Sequence, residues 1–181
     1  MFILFAGYKT EPLGDIMSEK IILSLGSNMG DRLSNLKKAC ERLRSNGFEI
    51  EKISSVYETE PVGMLDQNYF YNIAVSGSFG EEPDDLLNII NRIESELGRE
   101  RVIKYGPRTI DIDIIFFGER EIHSLDLMVP HPEYRYRKFV LEPVLEIEPD
   151  IADVSDGRKL KTILSECVDN SKVIKKDEIQ S

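Results

Sequence analysis

A chain of 181 residues with 41% hydrophobic content is long enough for one domain with a sizeable core, and its net charge of −10 excludes a surface built to hold nucleic acid or anionic membrane. No run approaches the ~20 apolar residues of a membrane span. The two cysteines, Cys40 and Cys167, lie far apart and outside any C-x-x-C or Cys/His spacing, so nothing suggests a zinc site or a disulfide framework, and the expected compartment is reducing and cytoplasmic.

The first seven residues are apolar, with no basic residue ahead of them, which makes a poor signal peptide. Met17-Ser18-Glu19-Lys20 reads as a second start. Residues 1–17 are therefore expected to be an appendage, residues 18–170 a single domain, and residues 171–181 a flexible tail.

Residues 20–25 read as a buried strand, followed by the tight loop Gly26-Ser27-Asn28-Met29-Gly30. Asp31 is placed to cap the next helix, whose apolar face is Leu33, Leu36, Ala39, Cys40 and Leu43. Asn46-Gly47 ends it. Residues 48–57 predict a second strand, 60–68 a loop, and 69–79 a third strand on which Phe70 and Asn72 share a face. Pro83 opens a second helix that buries Leu86, Leu87, Ile90, Ile93 and Leu97 and stops at Gly98. A polar loop, 99–107, leads into a strand over 109–117. The order strand, helix, strand, strand, helix, strand is the α+β plan called ferredoxin-like, βαββαβ. It predicts an antiparallel sheet with both helices on one face and the other face open for a ligand. Beyond Gly118 come C-terminal additions: a short strand at 127–130, helical turns at 138–147 broken by Pro143, a helical pattern at 160–168 and a frayed end from Lys172.

The most informative stretch is Gly106-Pro107-Arg108-Thr109-Ile110-Asp111-Ile112-Asp113-Ile114-Ile115. Its β-branched run reads as a strand, so Asp111 and Asp113 point to one face and Ile110, Ile112 and Ile114 to the other. Two such carboxylates, roughly 7 Å apart, repel by about 2 kcal/mol at an effective dielectric of about 20. A divalent cation would relieve that repulsion, and oxygen ligands of this kind suit Mg²⁺, which usually accompanies substrate phosphates. Arg99, Arg101, Lys104 and Arg108 beside the pair supply charge for those phosphates. On charge pattern alone a surface salt-bridge network has the same signature. Phe70 with Asn72 offers a plane and an amide for a flat heterocycle, or simply a core Phe beside an exposed Asn. Glu94 and Asn91 share one polar helix stripe, by default a solvated face, and His123 reads as structural.

Several further segments accompany that strand: Gly26-Ser27-Asn28, Glu58-Thr59-Glu60-Pro61-Val62-Gly63, Phe70-Tyr71-Asn72, Arg92-Ile93-Glu94, and Val129-Pro130-His131-Pro132 with Arg137 and Phe139. Together they resemble the 6-hydroxymethyl-7,8-dihydropterin pyrophosphokinase family of folate biosynthesis over roughly residues 20–164. The resemblance implies a ferredoxin-like monomer that transfers pyrophosphate from ATP to the pterin and releases AMP, with no nucleic acid or membrane partner. It implies two Mg²⁺ ions on Asp111 and Asp113, and catalytic roles for Arg99, Arg108, Asp111 and Asp113. Thr59, Pro61, Val62, Phe70, Asn72 and Phe139 would line the pterin pocket. Asn91, Glu94, Arg99, Arg101, Arg108, Ile114, His131 and Arg137 would hold ATP. Tyr105 stands where some members carry Trp. The alternatives are another Mg²⁺-dependent phosphoryl or nucleotidyl transferase on the same sheet, and a pterin- or nucleotide-binding module without catalysis.

Overall fold

Side-chain alternation along the first strand, β1 (Ile21–Ser27), sets the architecture. Ile21, Leu23 and Leu25 point into one apolar layer, whereas Ile22, Ser24 and Gly26 point to the opposite face. The computed structural model describes residues 19–61, 66–99 and 106–178.

Helix α1 (Arg32–Ser45) follows β1, and its N-cap Asp31 accepts a hydrogen bond from the Ser34 N–H at 3.0 Å, as its position predicted. It stops before Gly47, which takes the left-handed φ of +89° that a side chain would resist. The predicted second strand is split into β2 (Glu49–Ile53) and β3 (Ser55–Thr59). Ser54 separates them: its N–H donates to the Ala74 carbonyl at 2.9 Å while its Oγ accepts from the Ala74 N–H at 2.9 Å. A side chain thus supplies one rung of the ladder and offsets the strand. Next come β4 (Phe70–Ser78), α2 (Pro83–Glu96) and β5 (Asp111–Phe117).

The strands form an antiparallel sheet in the order β5-β1-β4-β3, with β2 also pairing β4. Leu36, Ala39, Cys40 and Leu43 of α1 and Leu86, Ile90 and Ile93 of α2 pack on the face carrying Ile21, Leu23, Leu25, Ile73, Ile112 and Ile114. Burying each large aliphatic side chain contributes roughly 1.5–3 kcal/mol.

The opposite face departs from its predicted openness. After a small hairpin of β6 (Ile122–His123) and β7 (Met128–Val129) and a 3₁₀ turn at Tyr134–Tyr136, helices α3 (Lys138–Ile147) and α4 (Leu160–Glu166) cover much of it. Val140, Leu141, Val144, Leu160 and Ile163 close on Ile22, Ala74, Ile115 and Phe116. Those sheet residues are apolar and need a cover; the end bearing Ser24, Gly26 and Asn72 opens to a cavity. Helix α3 continues through Pro143, where the sequence suggested a break.

The expected frayed tail is likewise corrected over Val173–Glu178, which form β8, antiparallel on β3. Side chains hold it there. Lys176 Nζ lies 3.0 Å from Glu58, and Lys175 Nζ lies 3.1 Å from Glu146 on α3. The same Glu146 accepts from Ser55 Oγ at 2.8 Å and from the Tyr57 hydroxyl at 2.7 Å. A polar strand of this kind gains its stability from distant partners, so local composition gives it no signal. The proposed appendage, Val62, Arg101 and much of the two predicted loops lie outside the described residues. Among the described residues no helix is long and apolar enough to cross a membrane.

Candidate active site

The uncovered end of the sheet forms a cavity of about 180 Å³. Its floor is Ser24 and Gly26 of β1. Gly26 makes room there for the Asn72 amide, since a Cβ would stand 2.8 Å from its Oδ1. Thr59, Glu60, Phe70, Asn72 and Phe139 line it together with Arg108, Asp111, Asp113, Glu133 and Arg137, whose guanidinium lies 5.7 Å from the Phe139 ring. The structure therefore brings together four of the residues expected to hold a pterin and four expected to serve phosphates or metal. Asn72 is fixed by the hydrogen bond that its Nδ2 donates to Thr59 Oγ1 at 2.7 Å, with both residues buried.

Asn28 explains how the charged side is positioned. Its side chain is fully buried. Its N–H donates to the Arg108 carbonyl at 3.1 Å and its Oδ1 accepts from the Arg108 N–H at 2.7 Å. Its Nδ2 donates to Gln67 Oε1 at 2.9 Å and to the Asn68 carbonyl at 3.2 Å. Ser27 Oγ adds a bond to the Thr109 carbonyl at 2.6 Å. The loop after β1 thus clips the segments before β4 and β5 together and sets Arg108 beside Asp111.

The two aspartates do share a face, with Ile110, Ile112 and Ile114 buried on the other side. Asp111 pairs with Arg108 and with Arg99 Nη2 at 2.6 Å. Arg99 pairs as well with Glu94. Asp113 is half-buried, with 34% of its side chain exposed. Burial, and then the charge of Asp111, push its carboxyl up to about 7. Arg137 at 3.9 Å and His131 at 4.0 Å face it. Burial and the neighbouring Arg137 lower the His131 pKa to about 4, so the ring is neutral near pH 7. Its Nδ1 accepts from the Glu133 N–H at 3.2 Å, which leaves the ring proton on Nε2, on the side of Asp113.

A carboxyl raised by burial, and further by a neighbouring like charge, is a site that a cation would complete. No group of three or more His, Cys, Asp or Glu side chains gathers for a metal among the described residues. Two carboxylates with an adjoining cavity fit Mg²⁺, which takes the rest of its oxygens from substrate and water, better than a protein-caged metal.

Other expected residues lie elsewhere. Ile114 packs its side chain into the helix-covered core, away from the cavity, because strand alternation sends it opposite the aspartates. Asn91 is exposed on α2, and Pro61 is buried at the end of β3; neither lines the cavity. Glu94 is not the solvated residue its stripe suggested. It is 3% exposed, accepts the Ile112 N–H at 2.8 Å, and is pushed up by burial against the lowering effect of Arg99. Sequence reading missed Ser24, Gly26, Glu60 and Glu133 as lining residues. The alternation of β1 held the signal for the first two: small residues stand at one end of a face that is otherwise apolar.

A family model, 7,8-dihydro-6-hydroxymethylpterin-pyrophosphokinase (HPPK), matches residues 22–149. This chain belongs to that family. It is 43% identical over 132 residues to the Bacillus subtilis 2-amino-4-hydroxy-6-hydroxymethyldihydropteridine pyrophosphokinase, covering 72% of this chain and 79% of that protein. The Aquifex aeolicus protein of the same name is 44% identical over 131 residues, 72% of this chain and 81% of its own. An Arabidopsis thaliana folate synthesis bifunctional protein is 41% identical over 130 residues; the HPPK chain here covers 27% of its length and 71% of its own. In fold, it resembles a Plasmodium falciparum HPPK-DHPS structure with a TM-score of 0.66 at 17% identity, over 82% of this chain and 43% of that one. The HPPK match spans every described stretch that lines the cavity.

Proposed function

We propose that this protein transfers the pyrophosphoryl group of ATP to the hydroxymethyl oxygen of 6-hydroxymethyl-7,8-dihydropterin and releases AMP, with two Mg²⁺ ions at Asp111 and Asp113. One observation carries the reading: a single cavity joins an aromatic and amide end, Phe70, Phe139 and Asn72, to an acidic and basic end, Asp111, Asp113, Arg108 and Arg137, in a chain of this family. The βαββαβ core is read as ferredoxin-like, with α3, α4 and β8 added after it, and the protein as a cytoplasmic monomer.

The pterin ring stacks on Phe70 and meets Asn72 and Thr59 with its polar edge. Its hydroxymethyl oxygen then faces the β-phosphorus of ATP, whose bond to the α-phosphate oxygen breaks as the new bond forms, the hydroxyl proton passing to solvent and AMP leaving with the α-phosphate oxygen. Bound Mg²⁺ would neutralise phosphate charge and align the attacking and leaving oxygens. Arg99 and Arg108 now pair with Asp111; with that carboxylate engaged by a cation, both would be available to the phosphates. Their planar forks suit two oxygens at once. The Nε2–H of neutral His131 donates to a phosphate oxygen. Charge neutralisation and positioning supply most of such catalysis, and one donor of this type is worth roughly 3 kcal/mol.

Incubation with ATP, Mg²⁺ and the hydroxymethyl dihydropterin should yield AMP and a pyrophosphorylated pterin in equal amounts. ADP or free pyrophosphate as the product would overturn the reading in favour of another transferase; ligand binding without turnover would favour a binding module.

A further inference from the structure

Tyr134 is 2% exposed and sits at the start of the 3₁₀ turn, midway between His131 and Arg137. It is pinned from two sides. Its ring meets Phe116 of β5 edge-on, with centroids 5.0 Å apart and planes at 68°. Its hydroxyl donates to Asp153, a carboxylate that is only 1% exposed.

Asp153 organises the chain beyond α3. It also accepts from Arg135 and from the Ser155 N–H at 2.8 Å. Its own N–H donates to the Arg158 carbonyl at 2.9 Å, and its carbonyl accepts from the Gly157 N–H at 2.9 Å. A buried carboxylate must keep such partners, so this anchor resists displacement.

The turn transmits that fixity in both directions. The Tyr134 N–H donates to the His131 carbonyl at 3.3 Å, and the Arg137 N–H donates to the Tyr134 carbonyl at 3.2 Å. The His131 N–H donates in turn to the Ile115 carbonyl at 3.1 Å. Both side chains that stand within about 4 Å of Asp113 are therefore carried by one short segment, which a buried carboxylate anchors.

We infer that Tyr134, through its bond to Asp153, is a positioning residue that holds His131 and Arg137 toward Asp113 and so sets affinity for the nucleotide. The inference rests on the reading of this end as the triphosphate site. Tyr134→Phe keeps the ring on Phe116 and removes the hydroxyl; Asp153→Asn keeps the shape and weakens the acceptor.

In the full chain, both variants should raise KM for ATP about tenfold through a small displacement of the two side chains, with KM for the pterin nearly unchanged. Calorimetry with Mg²⁺ and a non-hydrolysable ATP analogue should show the same loss without pterin. In the Asp153→Asn background, Tyr134→Phe should add less than it does alone, since the bond it removes is already weakened there. Ile163→Val, in the same apolar cluster but outside the turn, should lower the melting temperature without altering KM for ATP. Equal rises in both KM values, or analogue affinity equal to wild type in both variants, would overturn the inference. If the wild type binds the analogue but produces no AMP, the proposed reaction falls while the affinity comparison still decides the role of Tyr134. A wild type that binds no analogue overturns both.

Discussion

The Glu94 carboxylate accepts the backbone N–H of Ile112 at 2.8 Å, and Ile112 is the residue between Asp111 and Asp113. The same carboxylate pairs with Arg99, whose second nitrogen reaches Asp111. One buried acid on α2 thus fixes both the strand that carries the aspartates and an arginine that faces them.

Glu94→Ala should therefore act on stability and turnover together. It removes the acceptor for a buried N–H and one partner of a nearly buried guanidinium, at a cost of about 2–4 kcal/mol. Glu94→Gln keeps an acceptor for Ile112 and loses only the charge, so chemical denaturation should show a smaller decrease. Wild-type stability in Glu94→Ala would mean that the carboxylate is dispensable to the strand.

Asp113→Asn should abolish turnover and remove a pH dependence of stability. The folded Asp113 carboxyl is raised from 3.8 to about 7, chiefly by burial. Its contribution to stability is thus complete below pH 3.8 and is lost as pH rises through about 7. In EDTA at pH 8 the variant should melt about 2–4 °C above wild type, roughly 1 kcal/mol for a chain of this size, a modest figure because water reaching the cavity screens the charge. The gap should close toward pH 4. Added Mg²⁺ should raise the wild-type melting temperature at pH 8 and leave the variant where it was. A lower melting temperature for the variant at pH 8 would mark Asp113 as structural.

Gly26→Ala tests the floor of the cavity. The new methyl would stand 2.8 Å from Asn72 Oδ1, and Asn72 is held by Thr59, so the amide must turn or the strand must shift. KM for the pterin should rise about tenfold, with stability lower by roughly 1–3 kcal/mol. KM for ATP should stay close to wild type. A substitution that weakened both substrates equally would contradict an Asn72 that meets only the heterocycle.

Removing residues 172–181 should bare the outer edge of β3 and deprive Glu58 and Glu146 of Lys176 and Lys175. An uncovered strand edge invites pairing with another chain. Light scattering should show concentration-dependent association of the truncated protein that the full chain lacks. A truncated chain that stayed dispersed and equally stable would show that β8 contributes little.

Local pattern revealed the elements whose partners lie nearby in sequence. The β-branched run set Asp111 and Asp113 on one face, and the caps at Asp31 and Gly47 bounded α1, because those signals act within a few residues. The same alternation placed Ile114 in the core, even though resemblance to a family had suggested contact with nucleotide. What stayed hidden depends on distant partners. Glu94 looked solvated because its acceptor role serves an N–H 18 residues away. The cover that α3 gives the sheet, and the pairing of β8 with β3, follow from apolar or charged groups far along the chain. For Gly-Ser-Asn, the short motif gave no hint that Asn28 would bind Arg108, 80 residues on.

That last bond has a consequence for synthesis. The cavity draws its walls from Ser24 through Phe139, so no nascent chain that has exposed less than this contains it. Ligand capture must wait until at least residue 139 has emerged and the sheet has closed. From then on, each substrate acts as a fastener for the entire molecule: at a hundred times its Kd, a ligand adds about 2.7 kcal/mol against unfolding.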